Sequence, residues 1–162
     1  MIVFVSGVCG CGKSSIYEYI KDNNLLDDYD LFDMDELENI NDYSEDNYNL
    51  FYKNCIDKAI SKSKKNNIML FSCINHNDIN DLGLDNTRSI LITCSNDEIF
   101  KRLKNRDKKR NCSDDSFINE QIKYQDWFIS NSEYYDGIFD NTSVSLKDVS
   151  NDIVEYTKVN FK

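Results

Sequence analysis

The sequence of 162 residues has no proline, only five glycines and one histidine, and no long apolar segment. Charged residues make up 30% of it and hydrophobic residues 40%. That is too much charge for an integral membrane protein and too much apolar content for a disordered one. Basic residues are also scarce, since 19 Lys and Arg oppose 29 Asp and Glu and give a net charge of −10. Such a field repels phosphate backbones and anionic lipids, so we expect neither nucleic acid nor membrane as a partner. Any phosphate-binding site must be local.

The six cysteines form no compact disulfide framework, and no basic segment with a long apolar stretch precedes the first apolar run. We therefore expect reduced thiols and a cytoplasmic protein. Cys9 and Cys11 form a Cys-x-Cys pair of the kind that can bind soft metals. The only histidine, His76, belongs to a distant segment, and the pair lies inside a glycine-rich loop. We favour a loop role for these two residues over a metal site.

No linker, repeat or low-complexity segment divides the chain, which predicts a single domain over residues 1–162. Apolar runs alternate with segments of helical periodicity. The predicted strands cover residues 2–6, 29–33, 68–73, 88–94 and 137–140, and the predicted helices cover 13–22, 45–65, 95–105, 113–132 and a last segment from 146. Five short strands separated by helices indicate one α/β domain with a mostly parallel sheet.

The sharpest motif is GVCGCGKS at residues 7–14, which fits G-x-x-x-x-G-K-[ST] at every fixed position. It follows an apolar strand and opens a helix, which is the context that this phosphate loop requires. Glycines let backbone N–H groups point at phosphate oxygens, and the new helix adds the positive end of its dipole. In this motif the lysine bridges the outer phosphates and the Ser hydroxyl reaches Mg²⁺. The predicted nucleotide-binding residues here are Gly7, Cys9, Gly10, Cys11, Gly12, Lys13, Ser14 and Ser15, with Ser14 also a metal ligand.

This loop, with its additional glycine at position 10, precedes a short predicted sheet and one charged segment. In these features the chain resembles the small P-loop kinases of nucleotides and metabolites, which include the adenylate, shikimate and gluconate kinases. The resemblance implies a three-layer P-loop NTPase fold, with a five-stranded parallel sheet in the order 2-3-1-4-5, flanking helices and a short lid near residues 105–115. It also implies ATP and Mg²⁺ as cofactors and transfer of the γ-phosphate to a small acceptor.

A pair of carboxylates, Asp33 and Asp35, comes at the end of the second predicted strand. Strand alternation places both on one side, facing the crevice beside the phosphate loop. By the resemblance to shikimate and gluconate kinases, Asp33 would hold Mg²⁺ through water and Asp35 would orient or deprotonate the acceptor hydroxyl. The alternative is a solvated strand end in a generally acidic neighbourhood.

Six of the nine residues from 102 to 110 are basic, in an otherwise acidic protein. In the resembled kinases such a segment closes over ATP and neutralises charge on the transferring phosphoryl group. On that basis Arg106 and Arg110 would contact phosphate and act in catalysis, while Arg102 would bind the nucleotide or pair with an acidic neighbour. An ordinary solvated charge run is the alternative. By the same resemblance, Asn141 and Thr142 lie where the adenine ring packs.

The acceptor is less well defined. Ser72 and His76 follow the third predicted strand and are candidates for acceptor contact, although a loop with a capping role for Asn77 or Asp78 is the simpler interpretation. No arginine lies between Lys21 and Arg88, whereas nucleoside monophosphate acceptors usually need an arginine clamp. The Gly-Gly pair that shikimate kinases carry after this strand is also missing. These features favour an uncharged or weakly charged acceptor.

We therefore predict an ATP- and Mg²⁺-dependent phosphotransferase whose acceptor is a nucleoside or nucleotide, or another hydroxylated metabolite. The competing hypothesis is an ATP-binding regulatory P-loop protein without a metabolic acceptor. Such a protein would keep the phosphate loop but would need neither Asp35 nor the arginines of the charged segment.

Overall fold

A computed structural model of the chain describes residues 1–106 and 114–161. Its five strands form one parallel sheet in the order β2-β3-β1-β4-β5. The strands are β1 (Ile2–Ser6), β2 (Tyr29–Asp33), β3 (Asn67–Phe71), β4 (Thr87–Thr93) and β5 (Gly137–Asp140). This confirms the predicted fold class and strand order. All five carboxyl ends meet at one edge of the sheet, which is where ligands bind in open α/β folds.

Seven α-helices lie among the described residues. They are α1 (Lys13–Asp22), α2 (Met34–Leu37), α3 (Tyr48–Lys62), α4 (His76–Asp81), α5 (Asn96–Lys104), α6 (Asp115–Ser130) and α7 (Leu146–Asn160). None of the described helices is long and apolar enough to cross a membrane. The predicted lid falls mostly on residues 107–113, which lie outside the described part of the chain.

The central strands are buried on both faces, which accounts for their continuous apolar runs. Val3 and Val5 of β1 point into one core cluster, with the apolar sides of α1, α5, α6 and α7. Phe4, between them, points into a second cluster with α2, α3 and α4. Alternation along the strand therefore divides the core into two, and the result is a sheet between two helical layers.

Sequence periodicity missed the two shortest helices. Asp33 caps α2, because its Oδ1 accepts the N–H of Asp35 at 3.1 Å. Asn75 caps α4 in the same manner, by accepting the N–H of Asp78 at 3.0 Å. Both helices are set by a side-chain cap at a strand end, a signal that is too short to show as a repeat. The long helix predicted from residue 45 starts instead at Tyr48, after a 3₁₀ turn over Glu45–Asn47.

Candidate active site

The phosphate loop links β1 to α1 at the carboxyl edge of the sheet. Gly12 stands at the helix N-cap with a φ of +103°, a conformation that L side chains rarely adopt, and it provides no side-chain cap. A Cβ at this position would also collide with the amide of Asn141. The first N–H groups of α1 have no intrahelical partners, so this uncapped end is suited to an anion.

The Lys13 ammonium turns back into this loop. Its Nζ donates to the carbonyl oxygens of Gly7 at 2.6 Å and Val8 at 2.9 Å. Two thiols also lie near it, with Cys73 Sγ at 3.5 Å and Cys11 Sγ at 3.9 Å. Burial disfavours the charge of Lys13, but the neighbouring sulfurs outweigh that cost and raise its pKa above the ordinary value. Lys13 therefore brings its positive charge to the centre of the loop.

Ser14 and Asp33 come together from α1 and β2. The Ser14 hydroxyl donates to Asp33 Oδ2 at 3.5 Å. Burial raises the pKa of the Asp33 carboxyl, although the N–H of Asp35 and the charge of Lys13 offset part of the rise. A hydroxyl and a carboxylate oxygen beside a phosphate loop are the hard ligands that Mg²⁺ takes, together with water and phosphate oxygens.

Asp35 lies beside Asp33 for a different reason from the predicted one. The expectation that strand alternation places both carboxylates on one side was wrong, because β2 ends at Asp33 and Asp35 lies in the first turn of α2. Even so, both residues line one cavity of about 310 Å³. Among residues 1–106 and 114–161, those that line it are Val8, Cys9, Gly10, Lys13, Asp33, Asp35, Ser72, Cys73 and Arg106.

The three predicted arginines have different places. Arg106 lines the cavity, where its positive charge acts to lower the pKa of Cys9. Arg102 pairs with Glu98 at 2.9 Å, which was one of its two predicted roles. Its guanidinium also donates to the carbonyls of Gly10 at 3.4 Å, Cys11 at 3.2 Å and Asn141 at 2.8 Å, so it ties the phosphate loop to the end of β5. Arg110 lies outside the described residues.

Asn141 and Thr142 follow β5 and bond to two different neighbouring segments. The buried Asn141 amide donates to the Cys11 carbonyl at 2.8 Å, and so shares that oxygen with Arg102. The Thr142 hydroxyl accepts the N–H of Ser95 at 2.8 Å, just before α5. Asn141 therefore holds the phosphate loop and Thr142 the start of α5, so both side chains are engaged in holding protein segments together. Their predicted place beside the adenine ring stays a prediction.

The remaining candidates divide between the cavity and other surroundings. Ser72 lines the cavity and accepts the N–H of Ile74 at 3.2 Å. His76 is outside it, buried and stacked between Trp127 and Tyr134, with ring centroids at 5.2 and 4.4 Å. Acceptor contact by His76 is therefore not supported by its position. Ser15 is exposed on α1.

Two residues of the site were missed at the sequence level. Gln121 of α6 accepts the N–H of Cys9 at 3.0 Å, and so anchors the phosphate loop from a helix more than 100 residues further along the chain. No local pattern marks it. Cys73 lines the cavity two residues after β3, and its signal was the predicted strand order, which puts the end of β3 beside the end of β1.

This geometry defines a P-loop nucleotide-binding protein with the fold of the small-molecule kinases. A family described as AAA domain matches residues 3–125, so the chain belongs to that family. No curated protein matches the chain in sequence.

Three solved structures illustrate the shared fold. Shikimate kinase from Acinetobacter baumannii in complex with shikimate is 13% identical, with a TM-score of 0.70 over 98% of this chain and 93% of that one. Gluconokinase from Sinorhizobium meliloti 1021 is 15% identical, with a TM-score of 0.69 over 98% and 92%. Shikimate kinase from Bacteroides thetaiotaomicron is 13% identical, with a TM-score of 0.66 over 98% of both chains. At these identities the likeness establishes the fold, and the resemblance to the P-loop kinases is confirmed at that level.

Proposed function

We propose that the protein is a cytoplasmic, ATP- and Mg²⁺-dependent phosphotransferase that moves the γ-phosphate of ATP to the hydroxyl of a small acceptor. The observation that carries this proposal is the single cavity whose wall includes Lys13, Asp33, Asp35 and Arg106. Phosphoryl transfer needs cations for the phosphates, an oxygen ligand for the metal and a group to receive the acceptor proton, in close proximity. A protein that only binds ATP would not need the third of these.

The chain's own residues divide this work between them. Lys13 exchanges the loop carbonyls for the outer phosphate oxygens and so offsets their charge. Arg106 faces the same space and stabilises negative charge that spreads over the phosphoryl oxygens during transfer. The exposed carboxylate of Asp35 accepts the proton of the attacking hydroxyl. By the resemblance to the P-loop kinases, Arg110 adds a second cation from the lid.

The residues present also fit the metal. Ser14 and Asp33 would hold Mg²⁺, Asp33 through water, because their oxygens already lie 3.5 Å apart beside the loop. When bound, Mg²⁺ would supply positive charge that offsets the phosphates, so that the attacking hydroxyl meets less negative charge.

The acceptor we propose is a small hydroxylated molecule, either a nucleoside or nucleotide or another metabolite. Among the described residues of the cavity wall, the only cations are Lys13 and Arg106, and both are assigned to ATP. A phosphate on the acceptor would have no further charged clamp there. Uncharged or weakly charged acceptors therefore come first in a screen.

The test is ADP release from ATP and Mg²⁺, measured with and without a panel of nucleosides, nucleotides, sugars and sugar acids. We expect one class of acceptor to stimulate release. The Asp35→Asn variant should bind ATP normally but lose acceptor-stimulated release by about 10²–10⁴-fold, as for loss of a general base. Glu36→Gln is the matched control, because Glu36 neighbours Asp35 on α2 but accepts the Tyr17 hydroxyl at 2.9 Å instead of lining the cavity.

Two results would contradict the proposal. ATP binding with no stimulation by any acceptor would favour the regulatory P-loop protein. Equal effects of Asp35→Asn and Glu36→Gln would reduce Asp35 to a solvated carboxylate of α2 without a catalytic role.

A further inference from the structure

Three thiols surround the lysine of the phosphate loop. Cys73 Sγ lies 3.5 Å and Cys11 Sγ 3.9 Å from Lys13 Nζ, and the sulfurs of Cys9 and Cys73 are 3.9 Å apart. Cys9 and Cys73 are half-buried and line the cavity, whereas Cys11 is fully buried. The central group is an ammonium, so this arrangement excludes a metal ion at the same place and leaves the thiols for other chemistry.

Two of the thiols have unequal reactivity. A hydrogen bond from Cys9 and the charge of Lys13 lower the pKa of the Cys73 thiol well below its ordinary value, in spite of burial. The same hydrogen bond, with the charge on Cys73, raises the pKa of Cys9. Burial raises the pKa of Cys11. Since the thiolate is the nucleophile, these directions favour Cys73 over Cys9 as the attacking sulfur.

We propose that Cys73 and Cys9 are a redox modification site in which a peroxide closes a disulfide across the nucleotide cavity. The Cys73 thiolate attacks one peroxide oxygen, the O–O bond breaks, and Cys73 becomes a sulfenic acid while the leaving oxygen departs as water after protonation. Cys9 sulfur then attacks Cys73 sulfur, the S–O bond breaks, and a second water leaves with the Cys9 proton. Two thiols are oxidised by two electrons and one peroxide is reduced to two waters.

The geometry requires only a small movement. The two sulfurs must approach from 3.9 Å to a bond of about 2.05 Å, and both are carried by side chains at the cavity wall. Cys9 belongs to the phosphate loop and Cys73 follows β3, so the bond would tie the loop to a neighbouring strand end.

This bond opposes nucleotide binding, a consequence that rests on the proposed function of the cavity. The disulfide would stand where Lys13 must reach the outer phosphates, and it would hold the loop in a fixed position. Conversely, bound ATP draws Lys13 toward its phosphates, places negative charge near Cys73 and blocks access to it. Oxidation and nucleotide binding therefore oppose each other.

The experiment uses the full-length reduced chain, hydrogen peroxide, peptide mapping by mass spectrometry without reduction, and equilibrium binding of a fluorescent ATP analogue. We expect a Cys9–Cys73 disulfide and binding of the ATP analogue weakened about tenfold or more, as for loss of a charge-assisted contact to phosphate. Dithiothreitol should restore the binding. Saturating ATP should slow formation of the link.

Each variant is compared with its own reduced form. In Cys9→Ser, peroxide should leave Cys73 as a sulfenic acid that the probe dimedone labels. Cys73→Ser lacks the attacking thiolate and should form no disulfide at the cavity wall. Neither variant should lose binding on mild oxidation. Cys55→Ala is the matched control, because Cys55 is buried in the other core cluster, and it should respond like the wild type.

The inference is overturned if peroxide leaves Cys9 and Cys73 unlinked, pairs either with another cysteine, or forms the link without weakening binding. None of these readouts needs phosphoryl transfer. A chain that binds ATP, shows the redox response and phosphorylates no acceptor would contradict the proposed function and leave this inference standing.

Discussion

Removal of the Arg102 side chain tests whether the conformation of the phosphate loop depends on hydrogen bonds from α5. Its guanidinium makes two good hydrogen bonds to carbonyls, at 3.2 Å to Cys11 and 2.8 Å to Asn141, and a longer one of 3.4 Å to Gly10. The side chain is 29% exposed, so we discount each good bond to the lower end of the range for charged donors. Arg102→Ala should then cost about 2–3 kcal/mol of folding free energy, and the surface pair with Glu98 adds little to this cost.

For a domain of this size, that loss corresponds to a fall in melting temperature of roughly 4–12 °C. If about 1.4 kcal/mol of this lost free energy had stabilised the loop conformation that binds the nucleotide, the Kd for ATP rises about tenfold. The measurements are thermal unfolding and calorimetric titration with ATP. Arg102→Lys should rescue little, since one ammonium cannot replace the planar fork that reaches two carbonyls.

Lys101→Ala is the matched control. Lys101 also pairs with Glu98, at 3.5 Å, but its side chain is 69% exposed and no bond links it to the loop. It should melt and bind ATP like the wild type. If Arg102→Ala matches Lys101→Ala in both measurements, the loop is self-supporting and the reasoning fails.

Three further substitutions probe the same site. Lys13→Ala should abolish phosphoryl transfer with an unchanged circular dichroism spectrum, and wild-type turnover would contradict the assigned role. Gly7→Ala should lose stability and ATP binding together, because a Cβ there would lie 2.5 Å from the Ile92 carbonyl oxygen. The control is Gly83→Ala, at φ +61° in open space, which should lower the free energy of unfolding by only about 1 kcal/mol. Asp33→Asn should weaken Mg²⁺-dependent turnover but raise the melting temperature at neutral pH. Burial raises the pKa of Asp33 in the folded chain, so its ionised form costs stability above that pKa. This gain in melting temperature should vanish as the pH falls through the raised pKa of Asp33. A gain that does not depend on pH would show that burial of the ionised carboxylate is not its cause.

The sheet and the phosphate loop were predictable because each has a strong local signal. Apolar runs such as 2–6 fixed the strands, and an ungapped motif fixed Lys13 and Ser14. The strand order 2-3-1-4-5 came with the resemblance to P-loop kinases, since spacing alone does not order parallel strands.

The parts of the site that could not be predicted depend on contacts between distant segments. The Arg102 guanidinium reaches carbonyls of residues 10, 11 and 141, and Gln121 anchors Cys9 from another helix. Nothing in the sequence near these residues marks their partners. Strand alternation does not extend to Asp35, because β2 ends at Asp33. The short helix capped by Asp33 nevertheless brings Asp35 to the same cavity.

Phosphorus NMR of ATP, Mg²⁺ and an acceptor panel tests the central claim most directly, because it follows the transferred phosphoryl group itself. We predict that for one class of hydroxylated acceptor the γ-phosphate signal declines as a new phosphomonoester signal grows by an equal amount, with ADP as the other product. If the γ-phosphate appears only as inorganic phosphate with every acceptor, or ATP stays unchanged, the protein is not a small-molecule kinase.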